Sequence, residues 1–184
     1  MLIISVPETE MFNNNTEKFY TAPPFTLYLE HSLIAISKWE EQYKVPFLKS
    51  IEYLAQPKHQ DKFLYYVNCM STKGEIPKEN LMRLTNTEIS EITKYMAESR
   101  SATVSNVSKG GGNKKPVTSE RLYAAMACFQ IPDKYSQWHI SRLLAVIDIC
   151  QEMNEDPKKH VGSSSDTRAF IQQNESMKRA GFDL

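Results

Sequence analysis

Near its start the chain switches from one hydrophobic period to another. Leu27 and Leu29 alternate, as on a half-buried strand. From Ser32 onward, Leu33, Ile36, Trp39 and Tyr43 recur at helical spacing. A strand feeding straight into an amphipathic helix is a packing unit and carries no chemistry of its own. Ser32 is the expected N-cap, with His31 as the second choice. Glu40 and Lys44, four apart in the favourable order, are expected on the exposed face, and Pro46 ends the helix.

The remaining pattern extends this frame. Leu2 to Val6 is a β-prone run stopped by Pro7, and it can pair with Phe25 to Glu30. Residues 8 to 24 are polar, with turn signals at Asn13-Asn14-Asn15 and Pro23-Pro24. They form a long connection or carry a short structure of their own. A helix is expected over Gln60 to Met70, burying Phe63, Leu64, Val67 and Met70. Pro77 suits a first helical position and opens a short helix to Leu84. Asn86 or Thr87 caps another, with Ile89, Ile92, Tyr95 and Met96 as its apolar stripe. Residues 101 to 118 read as a β-hairpin with a glycine-rich tip. A helix from about Ser119 holds Leu122, Tyr123, Met126 and Phe129, and Ile131-Pro132 breaks it. The most apolar helix, about 137 to 153, is expected to be central.

The fold class is therefore α+β and mainly helical, with about five to six helices, a short N-terminal β pair and a hairpin near 101–118. Residues 1–153 form one expected globular domain. Residues 154–184 change composition, through Pro157-Lys158-Lys159 and Gly162-Ser163-Ser164-Ser165, to a flexible tail with a possible lone helix over Asp166 to Ala180.

At 184 residues the chain can bury one good core. Its 22 basic residues equal its 22 acidic ones, which argues against bulk attraction to nucleic acid or anionic membrane and favours self-association. Three unclustered cysteines, Cys69, Cys128 and Cys150, fit buried thiols in a reducing compartment. The first residues lack a basic leader, and no apolar run approaches the roughly 20 residues that span a bilayer.

Candidate chemistry is sparse. Gly110-Gly111-Gly112 with Lys109, Lys114 and Lys115 lacks the Gly-Lys-Ser/Thr ending of a phosphate loop and reads as a hairpin tip. His31, His59, His139 and His160 are scattered, and the cysteines form no Cys-x-x-Cys pair, so the spacing argues against zinc. Glu8 and Glu10 have no visible basic or metal partner. Phe63, Tyr65 and Tyr66 beside Lys62 suit a core stripe better than base stacking. The most suggestive polar group is Trp138-His139 with Arg142, where His139 and Arg142 are expected on one helix face. It suits a carboxylate or phosphate; as structure, Trp138 anchors the helix and Arg142 pairs with an acid. Trp39, Trp138, His139 and Arg142 are the candidate partner-binding or structural anchors. No catalytic, cofactor or metal site is expected.

Several strings carry a resemblance: Val6-Pro7-Glu8-Thr9-Glu10-Met11-Phe12, Leu29-Glu30-His31-Ser32-Leu33, Ile36-Ser37-Lys38-Trp39-Glu40, Pro46-Phe47-Leu48, Thr118-Ser119-Glu120 and Gln137-Trp138-His139 with Arg142-Leu143. Together they resemble a family of small proteins encoded in the tail gene cluster of long-tailed bacteriophages, in the place of tail assembly chaperones. The resemblance implies a protein of the host cytoplasm, without catalysis or cofactor. Its partners are then the helical tape-measure protein and the tail-tube protein. It also implies a basic C-terminus, whereas here Lys158, Lys159, Arg168, Lys178 and Arg179 are balanced by Glu155, Asp156, Asp166, Glu175 and Asp183. The eight methionines, including Met70, Met82, Met96 and Met126, suit either adaptable groove walls or core filling. The alternatives are a tail or baseplate adaptor kept in the virion, and an enzyme or nucleic-acid-binding regulator.

Overall fold

The computed structural model describes residues 1–13, 17–54, 59–103 and 116–154, with the side chains of 51–54 left aside. Among these the fold is α+β and mainly helical. Four strands, β1 (Leu2–Val6), β2 (Thr9–Asn13), β3 (Lys18–Ala22) and β4 (Phe25–Leu29), precede seven α-helices. The helices are α1 (Leu33–Tyr43), α2 (Phe47–Leu54), α3 (Gln60–Met70), α4 (Lys78–Leu81), α5 (Asn86–Ala97), α6 (Ser119–Cys128) and α7 (Ile140–Asn154), with a 3-10 turn over Asp133–Gln137 before the last. Contacts divide the chain into Met1–Asp148 and Ile149–Leu184. The possible helix over Asp166 to Ala180 and the glycine tip at 110–112 lie outside the described residues. Of the expected hairpin at 101–118, only its two ends are described, and neither is a strand.

The expected pair forms: β1 and β4 run antiparallel, with Leu2 opposite Leu29 and Ile4 opposite Leu27. Ile4, Val6, Leu27 and Leu29 face the core, while Ile3 on the other face is exposed. The free edge of β4 is partly covered where α3 ends. Met70 accepts from the Glu30 N–H at 2.9 Å, and the Thr72 N–H donates to Tyr28 at 2.9 Å. α3 contacts β4 and α5 contacts β1, while α1 packs on α3 and α6, with Leu33, Ile36, Trp39, Tyr66, Val67, Met70, Ile92, Leu122 and Met126 buried.

Within 8 to 24 the described residues carry a short structure of their own. They form a second antiparallel pair, β2–β3, with Phe12 opposite Phe19. The four strands are thus one long hairpin interrupted where Pro7 and Pro23-Pro24 remove ladder donors. Arg83, only 8% exposed, takes up the carbonyls at the break. Its Nη1 donates to Pro23 O at 2.8 Å; its Nη2 donates to Pro7 O at 2.8 Å and to Ala22 O at 3.2 Å. The guanidinium also lies 4.9 Å from the Phe25 ring. An ammonium group cannot spread donors across both crossovers. Arg83→Lys is expected to cost about 2 kcal/mol, from the usual worth of charged hydrogen bonds. Hydrogen exchange should show lost protection in β2 and β3 with β1 and β4 still protected; unchanged β2–β3 protection contradicts this role.

Four local expectations need correction. α2 is an extra helix: Pro46 ends α1 and also sits immediately before the first residue of α2. Glu40 is 6% exposed and forms no pair with Lys44; Lys44 is instead the left-handed C-cap of α1, at φ 56°. The helix expected from 137 starts at Ile140, because Trp138 is extended and His139 bridges Ser32. Among the cysteines, Cys128 is exposed and Cys69 and Cys150 are half-buried, so the thiols are not core residues.

Candidate functional site

The four candidate anchors separate into two buried residues, Trp39 and His139, a half-buried one, Trp138, and an exposed one, Arg142. Trp39 is 1% exposed, and its Nε1–H donates to Lys62 O at 3.3 Å. It is a core anchor and is not open to a partner. Its ring nevertheless begins a run of contacts through the core: Trp39 to Phe47 at 5.2 Å, Phe47 to His31 at 6.0 Å, and His31 to His139 at 5.2 Å. The last step, His139 to Tyr95, is 5.1 Å.

His31 and His139 are both buried, and each is fixed by hydrogen bonds. His31 Nδ1 shares a 2.5 Å bond with the Tyr66 hydroxyl. His31 O accepts from the Ile140 N–H at 2.7 Å, tying the start of α7 to the start of α1. His139 Nε2 lies 3.2 Å from Tyr95 O, a carbonyl that only accepts, so Nε2 carries the proton. Nδ1 is then an acceptor for the Ser141 hydroxyl at 2.8 Å and the Ser141 N–H at 3.3 Å. His139 therefore caps α7 in its neutral form. Burial, reinforced by the neighbouring imidazole of His139, holds His31 down to about 3. Burial also lowers His139, against its bond to Tyr95 and the nearby Glu30 carboxylate. Tyr66 is raised well above the usual tyrosine range, first by burial.

Trp138, His139 and Arg142 do converge. They line a surface cleft of about 370 Å3 together with Glu30, Arg100, Gln137 and Met1, whose N-terminal ammonium pairs with Glu30 at 2.7 Å. The Arg142 guanidinium sits 4.0 Å from the Trp138 ring, which stacks on Tyr135 at 4.0 Å and 15°. His139 and Arg142 do not share a helix face, since His139 precedes α7. Arg100, also in the lining, pairs with Glu98 at 2.8 Å and lies 4.6 Å from the Tyr95 ring. The Arg100 N–H donates to Ser141 Oγ at 3.0 Å. Glu30 accepts from the Tyr95 hydroxyl at 2.6 Å. Tyr95 is raised by burial and by that carboxylate.

Sequence reasoning missed Glu30, Arg100 and Tyr95, which come from distant segments and have no spacing signal. It also missed the apolar ribbon. Phe12 and Phe19 are 48% and 68% exposed, with rings 5.0 Å apart, and Tyr20 is 45% exposed on the other face. The signal was present: Met11-Phe12 and Phe19-Tyr20 flank the asparagine turn symmetrically. No group of three or more metal-ligating side chains occurs among the described residues. No helix among them is long and apolar enough to cross a membrane.

In comparisons with known proteins, no protein-family model, curated protein or solved structure matches this chain.

Proposed function

We propose that this protein is a non-catalytic assembly factor of long-tailed bacteriophages, acting in the host cytoplasm to hold the helical tape-measure protein before tail-tube subunits enclose it. The observation that carries the reading is the β2–β3 ribbon. A two-stranded ribbon is marginal in water, yet this one exposes Phe12, Phe19 and Tyr20 and both of its strand edges. Exposed aromatics on a polar-rimmed element are characteristic of protein-binding surfaces. A client helix with an apolar stripe finds there the flat apolar contact it lacks in water.

The resemblance supports the same reading more indirectly. Many of the residues that carry it, including His31, Trp39, Phe47, Ser119 and His139, are buried or bonded at the junctions of helices and strands. They are what a shared fold requires. The methionines divide: Met70, Met96 and Met126 fill the core, so of those four only Met82, 66% exposed, is available as an adaptable contact.

The test is co-expression with the tape-measure protein of the same phage genome. The intact chain should move that protein into the soluble fraction. Phe12→Asp with Phe19→Asp should remove the effect while leaving the thermal midpoint of the protein within a few degrees. A tape-measure protein equally soluble with the double variant contradicts the proposed surface. Stoichiometric protein in purified virions favours the tail or baseplate adaptor.

A further inference from the structure

We propose that the cleft under Arg142 is a carboxylate-binding site. The contact with Trp138 holds the guanidinium carbon 4.0 Å from the ring centre and uses none of its N–H donors in a hydrogen bond. Among the described residues the Arg142 side chain has neither a hydrogen-bond nor an ion-pair partner. The Tyr135–Trp138–Arg142 stack thus fixes a planar donor set in advance, without using its donors. A planar guanidinium edge held in this way matches a carboxylate through two parallel bonds. Arg100 supplies a second guanidinium to the cleft, whose volume of about 370 Å3 is enough for an acidic side chain and the backbone that bears it.

The floor of the cleft sets the charge of the ligand. Glu30 lines it but is paired at 2.7 Å with the N-terminal ammonium of Met1, and Glu98 takes up the Arg100 charge at 2.8 Å. Two ion pairs thus cancel, and Arg142 is left as the one uncompensated charge of the lining, which a carboxylate monoanion neutralises and a phosphate dianion exceeds. The ligand is therefore a single carboxylate, borne by an acidic peptide or by a small free acid. The inference stands apart from the tape-measure reading, because it uses a different surface and different residues.

The experiment is a titration of the full chain with three probes: hexaglutamate, acetate and inorganic phosphate. The Trp138 indole N–H resonance is followed by NMR, with buried Trp39 as the internal reference. A saturable shift of Trp138 by hexaglutamate or acetate is expected, and whichever probe binds more tightly per carboxylate identifies the source. Arg142→Ala should weaken binding at least about tenfold, and Arg142→Lys, which keeps the charge but not the fork, should also weaken it. Arg121→Ala, an equal change in net charge at an exposed site on α6, should leave it unchanged. The proposal is overturned by no saturable shift, by equal weakening in the Arg121 variant, or by phosphate binding as tightly as carboxylate.

Discussion

Replacing Glu40 with alanine is expected to cost about 3–5 kcal/mol, the worth of two charge-assisted hydrogen bonds whose donors are left buried. The Glu40 carboxylate is 6% exposed and serves two helices at once. Oε1 accepts from the Phe47 N–H at 2.7 Å, at the first residue of α2. Oε2 accepts from the Ser119 N–H at 2.7 Å, at the first residue of α6. Thr118, the N-cap of α6, makes no side-chain capping bond, so Glu40 does this work from α1. Both helix N-termini present partial positive charge to one carboxylate, which offsets the cost of burying it.

The conservative variants separate charge from shape. Glu40→Gln keeps one carbonyl acceptor but turns an NH2 group toward a backbone N–H, and should lose roughly half of the effect. Glu40→Asp is one methylene too short to reach both N-termini. Urea unfolding should report a lower midpoint with an unchanged slope. Added salt should change the loss little, because the site is buried. A Glu40→Ala protein within about 1 kcal/mol of the parent, well below the usual cost of orphaning a buried donor, contradicts the double cap.

Glu40 also shows where the sequence was readable and where it was not. The helical period that buries Leu33 and Ile36 also buries position 40, one heptad after Leu33. Its charge suggested the surface, and only the two helix starts, 7 and 79 positions away, explain its burial. The β1–β4 pair, the Ser32 cap and the cores of α1, α3, α5, α6 and α7 follow from local periodicity, which needs no knowledge of partners. The cap of α5 was legible in part: Thr85 and Glu88 make a capping box one residue before the expected cap. Trp138 and Arg142 were found through their proximity in sequence. Their cleft was not, since Glu30 and Arg100 arrive from β4 and from beyond α5. The ribbon was legible only as two apolar pairs, Met11-Phe12 and Phe19-Tyr20, too short to show a period of two among polar neighbours.

Acid should destabilise the protein well above the pH at which carboxylates titrate. His31 has an ordinary value of 6.5 and is held to about 3 in the folded chain. The folded state therefore binds fewer protons than the unfolded state between those values. Stability from this group is complete above pH 6.5 and falls as pH drops toward 3. Between pH 7 and pH 5 the loss from His31 alone is about 2 kcal/mol, by linkage at about 1.4 kcal/mol per pH unit. His139 is shifted in the same direction and adds to it. The groups around the pair do not rescue the charged forms. Tyr66 faces His31 as a neutral hydroxyl, while Glu30 and Arg100 act on His139 in opposite senses. Protonated His139 also turns an Nδ1–H toward the Ser141 N–H, which removes the cap of α7. The lowered carboxyls of Glu88 and Glu120 start from 4.5, so their contribution is lost only below this window. Urea unfolding at half-unit steps from pH 7.5 to 5 measures the slope. His31→Asn places an amide where Nδ1 was and does not titrate, so it should be less stable at pH 7.5 and show a flatter slope. A wild-type stability that is level across this range, or a variant slope equal to the parent's, removes the buried imidazole as the cause.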